Sequence, residues 1–176
     1  MIRRFRPTPE QLAEFASMGR KLEAERKAAV KIVEPLLRGT PRDLWPSLAE
    51  DPDLRTSGAL ERLGTLVAQK VTENPLEARA IAELAVAIAE GVSVPTYPDV
   101  VINQLQAHAW KDLGKALRYL GKNREAVDAL RTAETRITAG LSHDHAIIRL
   151  HLALSLQELD QYDAARSAIY FDILPQ

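Results

Sequence analysis

Apolar residues recur along this chain with the spacing of helix faces, and caps, prolines and glycines mark where the helices begin and end. Phe15, Leu22, Ala29 and Leu36 return every seven residues with Leu12 and Val33 beside them, which predicts one narrow apolar seam on a long N-terminal helix. Thr8-Pro9-Glu10-Gln11 supplies its start: an N-cap, a proline at the first helical position and a side chain able to close a capping box. Pro35 is expected to kink or end the helix near Val33 and Glu34, because proline removes a backbone donor and crowds the preceding turn. Residues 39–56 hold Pro41, Pro46 and Pro52 and read as a connector with a short helical turn around Asp43 to Leu48. A helix over about 58–72 follows, capped by Thr56 or Ser57. Asn74-Pro75 opens another, with Gly91 as a left-handed C-cap. Further helices are expected from Pro98 to Gly121, from a cap at Asn123 to Gly140, from a cap at Ser142 to Leu159, and from about Gln161 into Phe171. No stretch alternates with period two over five residues, so the expected fold is all-α.

Self-similarity refines this picture. Trp110-x2-Leu113-Gly114-x2-Leu117 is followed by Ala126, Leu130 and Ala133. Gly114 and Ala126 lack bulk where paired helices would cross closely, Trp110 and Leu113 fill the space between them, and Leu130 plugs the next layer. Downstream, Leu152-Ala153-x2-Leu156 with Ala165 and Ile169 keeps the spacing, with Arg149 in the tryptophan position. Upstream, Leu60-x2-Leu63-Gly64-x2-Val67 fits, but Ala78, Ala82 and Ala85 come two residues late. The pattern resembles the 34-residue tetratricopeptide repeat, whose unit would run here from Ala107 to Gly140. The family's closing proline is replaced by Thr138, and the joint before the last copy is five residues longer than the family's.

The resemblance covers residues 57–171 and implies a right-handed stack of antiparallel helix pairs, a short α-solenoid. It divides the chain into a basic amphipathic helix (1–38), a proline-rich connector (39–56) and a repeat domain (57–176). It further implies a non-catalytic adaptor or regulatory module that holds a peptide or helix of another protein in its concave groove. The lining would come from His108, Lys111, Lys115 and Arg118 in the best copy and from Ile147, Leu150 and Leu154 in the last. By spacing alone, the first four share one helix face, so one wall is basic and the next apolar. Lys111 matches a carboxylate-clamp position of that family, but Lys115 stands where asparagine is expected, and no clamp is inferred.

Composition narrows the chemistry. The chain has 176 residues, 46% of them hydrophobic, and no cysteine, which removes thiol catalysis, disulfides and Cys-ligated metals. No apolar run approaches the roughly 18 residues of a membrane span, and a cytoplasmic protein is expected. Residues 1–42 hold ten Lys or Arg against five Glu, a net +5, and the remainder is −6. The arm Arg3, Arg4, Phe5 and Arg6, with Lys27 and Lys31 and a track extended by Lys111, Lys115 and Arg118, would favour nucleic acid; a basic helix lying on an acidic body is the simpler reading.

The four histidines are His108, His143, His145 and His151. His108, His143-Asp144 and Asp160 or Asp163 follow the order used by HD-type metal phosphohydrolases, which makes such an enzyme the rival reading. His143 and His145 point about 200° apart in the first turn of a helix, so the geometry does not favour it. Carboxylate pairs such as Glu23/Glu25 and Asp51/Asp53 read as solvated charges. No Gly-rich phosphate loop occurs. No catalytic residue, metal or cofactor is expected. One oddity remains: the helix holding Ile147, Ile148, Leu150, Leu152, Leu154 and Leu156 is apolar nearly all round and must be buried nearly everywhere. With Phe171, Ile173 and Leu174 it calls for cover, either by a second copy or by the N-terminal helix folding back.

Overall fold

A computed structural model describes residues 8–93, 95–137 and 143–170. The expectations placed on Arg3 to Arg6, Thr138, Gly140, Ser142, Phe171, Ile173 and Leu174 lie outside the described residues. The elements are α1 (Pro9–Gly39), a 3-10 helix (Arg42–Glu50), α2 (Ser57–Lys70), α3 (Pro75–Glu90), α4 (Asp99–Tyr119), α5 (Asn123–Arg136), α6 (His143–Gln157) and α7 (Tyr162–Tyr170). Among the described residues there is no strand, and no helix is long and apolar enough to cross a membrane.

The starts obey local chemistry. Thr8 closes its capping box with Gln11, accepting from Gln11 N at 3.2 Å while Gln11 Oε1 accepts from Thr8 N at 2.9 Å. Thr56 accepts from Ala59 N and caps α2, and Asn74 accepts from Glu77 N and caps α3. Three local expectations are corrected. α1 does not end at Pro35 but runs on to Gly39, because Val33 is buried and Leu36 and Leu37 pack on the core beyond the missing donor. Gly91 closes α3 in the right-handed region (φ −85), so its lack of a side chain serves no left-handed turn there. Asn123 is the first residue of α5 rather than its cap, and its Oδ1 makes no hydrogen bond. The left-handed glycine is Gly121 (φ 71), which turns the chain from α4 into α5.

Each helix packs on the next from α1 to α7, and α2 also touches α4, and α4 touches α6. The 3-10 helix lies on α3, with Trp45 buried and its Nε1 donating to Thr40 O at 3.1 Å. One apolar cluster joins α1 to α5 around Leu63, Val67, Ile81 and Ile88. A smaller one joins α5 to α7 around Leu130, Ile148, Leu152 and Leu156. Trp110 touches both; it is half-buried, its Nε1 donating to Glu90 Oε1 at 2.8 Å, so it links helices rather than filling a closed space.

The α4–α5 crossing depends on Gly114. A Cβ there would lie 2.5 Å from Leu130 Cγ and 3.3 Å from Ala126 O. Gly64 behaves differently from its expected counterpart role: its free space faces α4, where a Cβ would lie 2.8 Å from Asp112 Oδ2. Leu60, Leu113, Ala126, Ala133, Ala153 and Ala165 are all buried.

Among the described residues α1 packs on α2 and not on α6 or α7. A Cβ at Gly58 would overlap the Glu25 carbonyl and lie 2.5 Å from Arg26 N, so only glycine admits this approach. A polar clasp secures it. Glu25 Oε2 accepts from Ser57 N (3.1 Å), Ser57 Oγ (2.8 Å) and Tyr97 Oη (2.5 Å). Lys21 donates to Thr96 O at 2.7 Å and sits over the Tyr97 ring. Burial and the Glu25 carboxylate push Tyr97 up to about 12. Glu25 is therefore a fixed hydrogen-bond acceptor and not the solvated charge its sequence suggests.

Candidate binding groove

Alternate helices present their unpacked faces to one groove. Counting from Gly58, the residues Glu61, Thr65 and Ala68 follow at i+3, i+7 and i+10 and share a face of α2. The same spacing on α4 gives His108, Lys111 and Lys115. These rows, with Leu22 and Arg26 of α1 and Ile147 and His151 of α6, line a groove of about 670 Å³. Leu60, Val101 and Leu105 add apolar wall, and Asp112 sits in the floor beside Gly64.

The structure thus places His108, Lys111, Lys115 and Ile147 in the lining and leaves Arg118, Leu150 and Leu154 outside it. Arg118 lies over its neighbour's ring, 4.8 Å from the Tyr119 centroid. Leu150 is 51% exposed, so α6 is not covered on nearly every side as its composition demands. Leu154 is half-buried. The missed residues are Arg26, Glu61, Asp112 and His151. Glu61 was legible from the helix-face spacing of α2; Arg26 was not, because nothing local announces which side of α1 faces the groove.

Charge in the groove is uneven. Arg26 and Glu61 pair at 2.9 Å on one wall. On the other, Lys111 Nζ lies 3.8 Å from Asp112 Oδ1, while Lys115 and Arg118 make no ion pair among the described residues. Burial raises the Asp112 carboxyl, against the opposing pull of Lys111, His108 and Lys115. Burial, then Arg118, Lys115 and Lys111, press His151 down to about 4. Its ring is neutral at pH 7 and its Nδ1 is buried without a hydrogen-bond partner. The lining holds Arg26, Lys111 and Lys115 against Glu61 and Asp112, a net charge of +1, with Lys115 the cation not paired among the described residues.

His108 and His145 link α6 to its neighbours. His108 Nε2 lies 3.0 Å from Asp144 Oδ2, in contact but without hydrogen-bond alignment. His145 and Arg149 meet Glu134 of α5 at 3.2 and 2.8 Å. Burial works to raise the Asp144 carboxyl, but His108, Lys111 and His143 hold it below the usual range. Asp160 lies instead in the α6–α7 turn, accepting from Tyr162 Oη at 2.9 Å. Among the described residues no three His, Asp or Glu side chains are grouped to hold a metal ion. Of the nucleic-acid track, Lys27 pairs with Glu23 at 3.4 Å and Lys31 is exposed.

His151 gives a pH prediction. Its folded value is below its unfolded one, near 6.5, so the unfolded chain binds the proton first. Stability is expected to fall as pH drops from about 6.5 to about 4, by roughly 2 kcal/mol after allowing for solvent screening of a partly exposed ring. Urea titrations of wild type and His151→Gln across this window check it: the variant should lose less. In NMR, the His151 ring should titrate near 4.

No family model, curated protein or solved structure matches the chain.

Proposed function

We propose that this chain is a cytoplasmic, non-catalytic adaptor or regulatory module, and that its groove holds an acidic segment of another polypeptide. In this reading the pairs α2–α3, α4–α5 and α6–α7 stack as a short right-handed array of tetratricopeptide type. Contacts from α2 to α4 and from α4 to α6 support that stacking, as does the tight Gly114–Leu130 crossing.

One observation carries the function: helices α2, α4 and α6 line a single groove whose inner wall holds Lys111 and Lys115 beside Asp112, with Asp144 near Lys111. Cations on a concave, partly apolar surface gain most from a carboxylate that enters with its own apolar neighbours, because the wall excludes competing water. Fixed side chains on helices also hold the cations apart at set spacing, which favours a linear ligand over a compact one.

The test is selection from a random peptide display library against the immobilised chain, with counter-selection on Lys111→Glu/Lys115→Glu. Sequences rich in Asp and Glu, interleaved with apolar residues and lost on the variant, are expected. Enrichment of basic peptides, or of the same peptides on both proteins, would overturn the reading.

A further inference from the structure

Three polar side chains of the groove lack the partners that their chemistry calls for, and they stand together where α4 meets α2 on one side and α6 on the other. Asp112 lies in the floor with its side chain 19% exposed. Its nearest cation, Lys111 Nζ, is 3.8 Å from Oδ1, beyond hydrogen-bond length, and no donor reaches either oxygen among the described residues. Gly64 of α2 leaves room for Oδ2, which would lie 2.8 Å from a Cβ there. Lys115, one turn further along the same face of α4, makes no ion pair among the described residues. His151 of α6 makes no hydrogen bond among them either; its Nδ1 is buried, which leaves Nε2 as the nitrogen turned to the groove. Burial raises the Asp112 carboxyl and lowers the His151 ring, and Lys115 pulls both downward, so Lys115 stands within electrostatic reach of the other two. Native structures leave few such groups unsatisfied.

We infer, resting on the peptide reading above, that these three groups form one subsite for a single acidic residue of the bound segment: its side-chain carboxylate sits between Lys115 and His151, and a main-chain N–H donates to Asp112. Lys115 supplies the charge, and the neutral His151 ring supplies a second donor from the facing helix through Nε2–H. Asp112 accepts only from a donor, and a polypeptide carries one at every residue except proline. Asp112 and Lys115 are neighbours three apart on one helix face, and an acidic residue presents its N–H and its carboxylate across a similar span. The same arrangement sets the class of anion. One unpaired cation suits one carboxylate. A phosphoryl group brings about −1.5 to −2 of charge and no N–H, so it would meet Asp112 and the nearby Asp144 as a repelled anion. The subsite therefore selects an acidic peptide residue over a phosphorylated one, and over a nucleic-acid backbone. His108 is no fourth member, since its Nε2 already lies 3.0 Å from Asp144 Oδ2.

The probe is one acidic peptide from the display selection, blocked at both ends so that it has no terminal carboxylate. If no acidic peptide is selected, the peptide reading falls and this inference with it; the outcomes that follow bear on the subsite alone. Methylating the main-chain nitrogens one at a time should weaken binding at least tenfold at one position, at or beside a single Asp or Glu. That loss should shrink to twofold or less on Asp112→Ala, whose folding is checked by circular dichroism. Converting the same Asp or Glu to its amide should also lose at least tenfold on wild type, and twofold or less on Lys115→Met/His151→Phe. Phosphoserine in its place should bind at least tenfold more weakly to wild type. A measurement on wild type needs no variant to fold: in NMR, the His151 Nε2 proton should move downfield as the peptide is added. Three results overturn the inference: an Nε2 proton that does not move, a methylation loss equal in wild type and Asp112→Ala, or tighter binding of the phosphoserine peptide.

Discussion

Gly58→Ala is expected to loosen α1 from the body, with a net loss of about 2–3 kcal/mol of stability. An added methyl ordinarily helps a helix by up to about 1 kcal/mol relative to glycine. Here the methyl would overlap the Glu25 carbonyl and crowd Arg26 N, and both are backbone. No rotamer change can make room, so α1 must move. That movement also breaks the acceptor geometry of Glu25 toward Ser57 and Tyr97. Two measurements read the outcome. The urea midpoint should fall, and Tyr97, now held near 12, should titrate closer to an ordinary phenol as its carboxylate neighbour withdraws. A stability that is unchanged or higher, with Tyr97 still suppressed, would mean that α1 does not rest on α2 at this point.

The second large effect lies at the α4–α5 crossing. Leu130 is 0% exposed, and Leu130→Ala should cost about 2–5 kcal/mol through the cavity it leaves. Gly114→Ala alone should cost about 1–3 kcal/mol, because its Cβ would fall 2.5 Å from Leu130 Cγ. Together the two substitutions should cost less than their sum, by about 1–3 kcal/mol. In the Leu130→Ala background the new methyl enters the vacated space and gains helix propensity. Denaturation of the four chains gives the coupling directly. Strict additivity would show that Gly114 and Leu130 do not share this space, and it would remove the packing on which the repeat resemblance rests.

These two glycines also show what the sequence made legible. Gly114 was readable because its spacing to Trp110 and Ala126 lies within one helix pair, but Leu130, expected in the next layer, is the side chain that fills the space over it. Gly58 was not, since the residue that requires it belongs to a helix some thirty positions earlier. Glu25 escaped for the same reason: its partners Ser57 and Tyr97 are 32 and 72 positions away. The helix starts at Thr8, Thr56 and Asn74 were plain, because a cap is satisfied within three residues. Pro35 misled because burial of the residues around it outweighs one missing donor, whereas Gly91 does close its helix but in the right-handed region. In the groove, the expected row of α4 lies in the lining as far as Lys115. Arg118 lies outside it, its side chain turned onto Tyr119. The apolar count of α6 overstated its burial, since composition cannot tell a covered face from an open one.

The account turns on the basic wall of the groove. Calorimetric titration of one selected acidic peptide into wild type and into Lys111→Glu/Lys115→Glu tests it most directly. Wild-type binding should weaken with added salt, and the double variant should bind at least about tenfold more weakly, a loss of about 1.4 kcal/mol or more. Lys111 is only 17% exposed and lies beside Asp112, so the variant also loses stability, and its circular dichroism must show it folded at the temperature of the titration. Equal affinity for the two proteins, at every salt concentration, would contradict it.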